Sequence, residues 1–300
     1  MLALRWVVVD DRTQLLVVAR TAYRRNDWRT SYESFSRVDG VQALDTDDLS
    51  VYAAAAWRQG HGRESVRINE QVHTRLLRTD PVQAAMKAAE IGMAWLARGH
   101  LALARSWAQR ARVLLDGVPE TAAHGYLAYL LAVTASDAGD QKQSDTATRQ
   151  LEAVAENSGD AALIALGRAL AGTVTAAAGD PAGYETLDQV LLPVLDEPVP
   201  AEWAADVYRR ALNLAHRRRA DDRVVSWTES MQRWCDATEP EATQSAYRAV
   251  CDVHRLAAVA DTDQDLVRRV VGLRRLVAEV DAVAAGMAEE LLSRIVGRAR

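Results

Sequence analysis

The stretch MKAAEIGMAWLARGHLALARSWAQRARVLL, residues 86 to 115, decides the fold of this chain. Its apolar residues recur every three to four positions on both sides of Gly99, a pattern that predicts two amphipathic helices joined by a tight turn. Gly92 removes a side chain where the two helices approach, and Gly99 permits the left-handed conformation that ends the first helix. Ala104 and Ala111 share one face of the second helix and allow close packing there. The stretch is therefore predicted to form one antiparallel helix pair.

The turn signal of this stretch recurs about every forty residues, at Asn26, Gly60, Gly99, Gly139, Gly179, Ala220 and Ala260. A single helix pair cannot bury its apolar face alone, so stacked copies share a continuous core and leave one long concave surface. We therefore predict an all-α solenoid of about seven antiparallel helix pairs. Its expected parts are a lead-in segment at 1–14, helical repeats at 15–269 and capping helices at 270–300.

Six positions of the deciding stretch resemble the tetratricopeptide repeat in residue type and spacing: Gly92, Trp95, Gly99, Ala104, Ala108 and Ala111. Two features depart from that pattern, since Ala88 stands where an aromatic residue is usual and the closing proline is shifted to Pro119. Other units keep the turn but lose the small residue equivalent to Ala104. A repeat of about forty residues also suits HEAT-like helix pairs. We favour a tetratricopeptide-like solenoid and keep the HEAT-like alternative open.

A further resemblance covers residues 15 to 260. It rests on AYRRNDW (22–28), AAWRQGHGRES (55–65), LARGHLALARSWAQRARVLL (96–115), PETAAHGYL (119–127) and RWCDA (233–237). These stretches are similar to the tetratricopeptide region of actinobacterial LuxR-type transcriptional regulators. The resemblance implies a sensory or protein-interaction module, which in that family precedes a C-terminal helix-turn-helix. Residues 270–300 show no helix-turn-helix spacing, so the resemblance does not extend to DNA binding.

Charge, hydrophobic segments and cysteine spacing limit the partners and the cellular location that we expect for the chain. The net charge of −5 removes the whole-chain electrostatic argument for nucleic acid, and direct nucleic-acid binding is not expected. Residues 2–9 are apolar, but Asp10 and Asp11 follow too soon for a membrane span or a secretory signal. Cys235 and Cys251 have neither the spacing of a zinc site nor that of a disulfide framework. We expect a cytoplasmic protein without a membrane contact or a cofactor.

Two aspartate clusters are the candidates for catalysis: Asp45, Asp47 and Asp48, and Asp261, Asp263 and Asp265. The first resembles the acid motif of some terpene cyclases, which are all-helical enzymes. Both clusters directly precede a predicted helix, where carboxylates cap free N–H groups. We therefore favour helix capping over catalysis. The six histidines do not show the i, i+4 spacing of a metal site.

The predicted binding site is the concave groove of the solenoid. On the first helix of each pair, the distance from the turn signal indicates which side chains face this groove. They are Tyr23, Arg24, Trp57, Arg58, Met86, Met93, Tyr126, Tyr129, Arg210, Arg217, Tyr247 and His254. Aromatic and Met side chains offer adaptable apolar contact, and arginine can hold a carboxylate or phosphate. An acidic or aromatic ligand would fit, although some of these residues could instead fill the core between neighbouring pairs.

The sequence favours a non-catalytic regulatory or adaptor module that binds a protein, a peptide or a small effector in this groove, with a homo-oligomer possible. Two alternatives stay open. One is an all-helical enzyme that uses the aspartate clusters, and the other is a transcriptional regulator that lacks its DNA-binding domain. A structure in which Asp45, Asp47 and Asp48 converge on a closed pocket would favour the enzyme.

Overall fold

The computed structural model of the protein describes residues 2–39, 43–196, 199–238, 245–259 and 264–298. Fifteen α-helices and no strands occur in these residues. The helices are α1 (Leu2–Arg24), α2 (Trp28–Asp39), α3 (Thr46–Arg58), α4 (Gly62–Leu76), α5 (Pro81–Ala97), α6 (Leu101–Leu114), α7 (Ala122–Asp137), α8 (Gln141–Ser158), α9 (Ala161–Ala177), α10 (Ala182–Asp196), α11 (Ala201–Arg217), α12 (Asp221–Thr238), α13 (Ala246–Val259), α14 (Gln264–Val277) and α15 (Ala282–Arg298). Seven successive pairs and a final helix confirm the predicted all-α solenoid.

Five of the predicted turns contain a residue with positive φ, between 59° and 95°: Asn26, Gly60, Gly99, Gly139 and Gly179. In the α11–α12 turn the positive φ of 54° belongs to Arg219, one residue before the predicted Ala220. Ala260 lies outside the described residues. The left-handed residue ends the first helix of each of these pairs and reverses the chain into the second helix.

Aspartates cap the N-termini of several helices. The side chains of Asp45, Asp80, Asp140 and Asp160 each accept a hydrogen bond from a backbone N–H group in the first turn of the following helix. These bonds satisfy donors that have no partner within the helix. They confirm helix capping as the role of Asp45.

Small residues lie where neighbouring helices cross closely, as the sequence predicts. A Cβ atom added to Gly92 would lie 2.7 Å from Leu130 Cδ2 of α7 and 3.4 Å from the Ala104 carbonyl oxygen of α6. Ala104 and Ala111 are fully buried. The predicted packing role of these three residues is therefore confirmed.

The helices share one large core with a smaller cluster at each end. The N-terminal cluster contains residues of α1, α2, α3 and α4 around Phe35 and Tyr52. The C-terminal cluster contains residues of α13, α14 and α15 around Val253 and Ala288. The segment 2–14 is part of α1 rather than a separate lead-in, and the boundary expected at 269/270 falls inside α14. None of the helices in the described part of the chain is long and apolar enough to cross a membrane.

The solenoid curls until its late repeats contact its early ones. α11 packs against α5, and α13 packs against α3. The turn before α15 contacts the start of α4, where a Cβ atom on Gly62 would lie 2.0 Å from the Glu279 carbonyl oxygen. Asn26 Nδ2 also donates a 2.7 Å hydrogen bond to the carbonyl oxygen of Thr238. The long open concave surface expected from the repeats is therefore largely replaced by contacts between inner faces.

Candidate functional site

Aromatic side chains join the inner faces where the solenoid closes. Trp203 of α11 is fully buried, and its Nε1 donates a 3.3 Å hydrogen bond to the Tyr126 carbonyl oxygen of α7. The rings of Tyr126 and Trp203 meet edge to face with centroids 5.3 Å apart. Trp57 of α3 and Tyr247 of α13 make a similar contact at 5.4 Å. These rings fill the space that an open groove would leave for a partner.

A buried ionic cluster lies beside these rings. The Asp206 carboxylate contacts Arg209, accepts a 2.7 Å hydrogen bond from Arg210 Nε and accepts a 2.9 Å bond from the Tyr129 hydroxyl. Arg210 also holds Asp137 of α7 through two bonds of 2.8 and 2.9 Å. Burial alone would raise the pKa of Asp206, but Arg209 and Arg210 outweigh burial and lower that pKa to about 2. The cluster therefore holds α11 against α7 with its charges paired.

A cavity of about 390 Å³ lies between the early and late repeats, and we call it the central cavity. Its walls come from α1, α3, α4, α5 and the start of α11. Its lining includes Tyr23, Ala54, Trp57, Arg58, Asn69, Lys87, Glu90, Pro200 and Glu202. Three residues predicted for the groove, Tyr23, Trp57 and Arg58, thus line one cavity.

Charges of both signs line the central cavity. Lys87 and Glu90 form an ion pair one helical turn apart on α5. Burial raises the pKa of Glu202 to about 7, and the nearby Glu90 carboxylate contributes to the increase. The Arg58 guanidinium lies over two rings, 5.0 Å from the centroid of Trp28 and 4.5 Å from that of Tyr247. A carboxyl group whose pKa is raised by burial beside a cavity, as that of Glu202 is, is common at ligand sites.

Asn69 adds a polar group to this wall. Its side chain is only 4% exposed, and its Oδ1 atom has no hydrogen-bond partner in the described part of the chain. A buried amide oxygen without a partner costs about 1–3 kcal/mol. Because the Oδ1 atom has almost no exposed surface, it lies behind the cavity wall and not on the surface that a ligand would contact.

The structure distributes the twelve predicted groove residues over several environments. Met93, Tyr126, Tyr129, Tyr247 and His254 are buried in the core, because the curled inner faces pack on one another. For these five residues the structure shows the core position that the sequence left as the alternative, and their role in binding stays a prediction. Met86 is half-buried against the main core. Arg24 and Arg217 are exposed, and their role in binding stays a prediction.

Arg210 also differs from expectation. It was predicted to face a ligand together with Arg217, but its guanidinium binds the carboxylates of Asp137 and Asp206. The two arginines share a helix, yet Arg210 is directed toward α7 and Arg217 is at the exposed end of α11. Arg210 and Arg217 therefore lie in different environments.

The first aspartate cluster does not line a cavity that the structure describes. Asp45 caps α3, and Asp48 binds the Arg20 guanidinium through two hydrogen bonds of 2.7 Å each. The second cluster, Asp261, Asp263 and Asp265, lies outside the residues whose side chains are described. No group of three potential metal ligands occurs among the described side chains.

Two histidines make a contact that the sequence did not predict. His216 of α11 and His254 of α13 stack with ring centroids 5.2 Å apart. His254 is fully buried, and neither ring nitrogen has a hydrogen-bond partner within the described residues. Burial lowers the pKa of His254 to about 3, with smaller effects from His216 and Arg209. No local pattern could reveal this pair, because its members come from different repeats.

We expect His254 to make the stability of the protein pH-dependent. Its folded pKa of about 3 lies below the ordinary value of 6.5, so below pH 6.5 the unfolded chain binds a proton that the folded chain excludes. At pH 4.5 this costs about 2 to 3 kcal/mol. Chemical denaturation of the native chain and His254→Leu at pH 7.5 and 4.5 measures the difference. His100→Leu, at an exposed turn, is the control, and equal pH dependence of the native chain and His254→Leu would contradict the prediction.

A second depression, of about 670 Å³, lies on the outer surface between α4 and α6. Its rim includes Leu77 and Val113, which are 44% and 64% exposed. Trp107 forms part of its floor with the Arg110 guanidinium 4.2 Å from the ring centroid. We call this depression the outer groove.

Comparison with known proteins finds a likeness among solved structures. No protein-family model matches the chain, and no curated protein matches it. Among solved structures, the chain is similar to a tetratricopeptide repeat protein from Parabacteroides merdae. The TM-score is 0.43 and the sequence identity is 14%, with 96% of this chain and 99% of that chain covered.

Proposed function

We propose that this chain is a non-catalytic cytoplasmic regulatory module that binds a small effector in the central cavity. One observation carries the proposal: the closed solenoid keeps a cavity lined by Tyr23, Trp57 and Arg58 and by the charged side chains of Lys87, Glu90 and Glu202. Its volume of about 390 Å³ lies in the usual range for small-molecule pockets. It offers less room than an extended peptide would need along an open groove.

The regulatory role is supported by the likeness of residues 15 to 260 to the sensory region of LuxR-type regulators. In the proposed arrangement the effector fills the space between the early repeats and α11. Binding would then stabilise the closed solenoid, because the ligand contacts both sides of the closure. A protein or peptide partner would contact the outside, where the outer groove exposes Leu77 and Val113.

Thermal unfolding with a panel of small metabolites tests the proposal. A compound at about 100 times its Kd stabilises the folded state by about 2.7 kcal/mol, which raises the melting temperature measurably. Ala54→Phe places a ring in the central cavity without changing any charge, and it is expected to abolish the shifts seen with the native chain.

The matched control is Ala102→Phe, at an exposed position of α6. It should respond to the same compounds as the native chain does. If Ala54→Phe keeps the shifts while folding normally, the ligand binds elsewhere and the assignment of the central cavity fails.

A further inference from the structure

The floor of the outer groove is formed by two buried rings that contact each other. His73 Nδ1 lies 2.9 Å from the Ala84 carbonyl oxygen of α5, and the His73 ring meets the Trp107 ring edge to face at 5.3 Å. His73 and Trp107 are both almost completely buried, so the packing of the repeats holds the two rings in place. The groove is therefore a built feature of the junction between α4, α5 and α6.

The two walls of the outer groove follow the spacing of helix faces. Glu70 and Thr74 lie four residues apart on α4, and Leu77 follows directly after that helix. Arg110 and Val113 lie three residues apart on α6. Since residues three or four positions apart share one face of a helix, each wall is a row of side chains along its helix. An amphipathic helix can lie between two such rows with its apolar face inward.

The exposed charge around the outer groove is mainly positive. α6 carries three arginines and no acidic residue, although the net charge of the chain is −5. Arg110 of α6 and Arg78, the residue after Leu77, are exposed and form no ion pair within the described part of the chain. Glu70 is the acidic residue of the lining. A partner with carboxylates beside its apolar side chains therefore complements this groove.

The floor and the rim favour a protein partner over nucleic acid. Bases stack on exposed aromatic faces. The Trp107 ring does not offer such a face, because it is only 8% exposed and the Arg110 guanidinium lies over it. Leu77 and Val113, the exposed apolar side chains of the rim, suit the apolar face of a helix better than a phosphate backbone.

We propose that the outer groove binds an acidic amphipathic helix of a partner protein, with its apolar face on Leu77 and Val113 and a carboxylate on Arg110. A guanidinium can hold a carboxylate through two parallel hydrogen bonds. The stacking of Arg110 on Trp107 orients the guanidinium before the partner binds, which lowers the entropy cost of binding. This inference rests on the part of the proposed function that places a protein partner on the outside, and it does not need an effector in the central cavity.

Three labelled model helices test the proposal. Each has about 20 residues, enough for a stable isolated helix, with leucines spaced along one face. The positions beside the leucines carry glutamate, glutamine or lysine. Fluorescence anisotropy with the full chain at physiological ionic strength measures each affinity. We expect the glutamate peptide to bind at least about tenfold more tightly than the glutamine peptide, as for one charged hydrogen bond, and the lysine peptide to bind most weakly.

Arg110→Glu should reverse the order of the glutamate and lysine peptides. The matched control is Arg112→Glu, which makes the same change at an exposed position of α6 outside the groove lining and should keep the native order. Val113→Ser should weaken binding of all three peptides by about tenfold, because it removes an apolar contact. Val174→Ser, at an exposed position of α9, should leave their affinities unchanged.

Equal binding of the three peptides, tighter binding of the lysine peptide, or no binding of any peptide would overturn the proposal. The native order in Arg110→Glu would overturn the role of Arg110. Tighter binding of a labelled oligothymidylate than of the glutamate peptide would assign the groove to nucleic acid instead. The effector site is decided separately, because Ala54→Phe blocks the central cavity and should leave peptide binding unchanged.

Discussion

Replacement of Asp206 by alanine is expected to lower the free energy of unfolding by about 3–5 kcal/mol, the usual cost of removing one partner from a buried ion pair. Asp206 is 2% exposed and is bound by Arg209, Arg210 and the Tyr129 hydroxyl. Without the Asp206 carboxylate, the buried guanidinium groups of Arg209 and Arg210 have less negative charge to pair with. Urea denaturation followed by circular dichroism measures the change.

Asp137→Ala serves as the control for the Asp206 experiment. Asp137 binds the same arginine, but its side chain is 32% exposed. Water can replace part of its interaction, so we expect a loss of about 1 kcal/mol. Equal effects of the two substitutions would mean that Asp206 does not act as the buried centre of the cluster.

Gly183→Ala is expected to destabilise the protein by about 3 kcal/mol through overpacking. An added Cβ atom would lie 2.2 Å from the Ala176 backbone nitrogen and 2.6 Å from the Gly172 carbonyl oxygen. Both atoms belong to the backbone of α9, so rotation of a side chain cannot relieve the overlap. α9 and α10 must move apart, which the midpoint of thermal or urea unfolding will show.

Gly286→Ala makes the same chemical change within α15, where a Cβ atom would meet no atom within 4 Å among the described residues. Alanine favours the helix over glycine by about 1 kcal/mol, so this variant should be more stable than the native chain. Opposite signs for the two substitutions are the expected result. If Gly183→Ala were also stabilising, the close crossing of α9 and α10 would not exist.

The sequence predicted the features of this protein that depend on neighbouring residues. The turns at Gly60, Gly99, Gly139 and Gly179, the capping role of Asp45 and the crossing at Gly92 all follow from local geometry. A left-handed turn residue or a capping carboxylate acts within a few positions along the chain. The repeat period then determined the succession of helix pairs.

Only the tertiary structure decided which inner surfaces stay accessible. The curl of a solenoid is the sum of small rotations between successive pairs, and no single sequence pattern states that sum. The curl places Tyr126 beside Trp203 and His216 beside His254. It leaves Trp57 and Arg58 on the wall of the central cavity. The sequence by itself thus determined the repeated helix pair, whereas contacts between distant repeats decided where a ligand can bind.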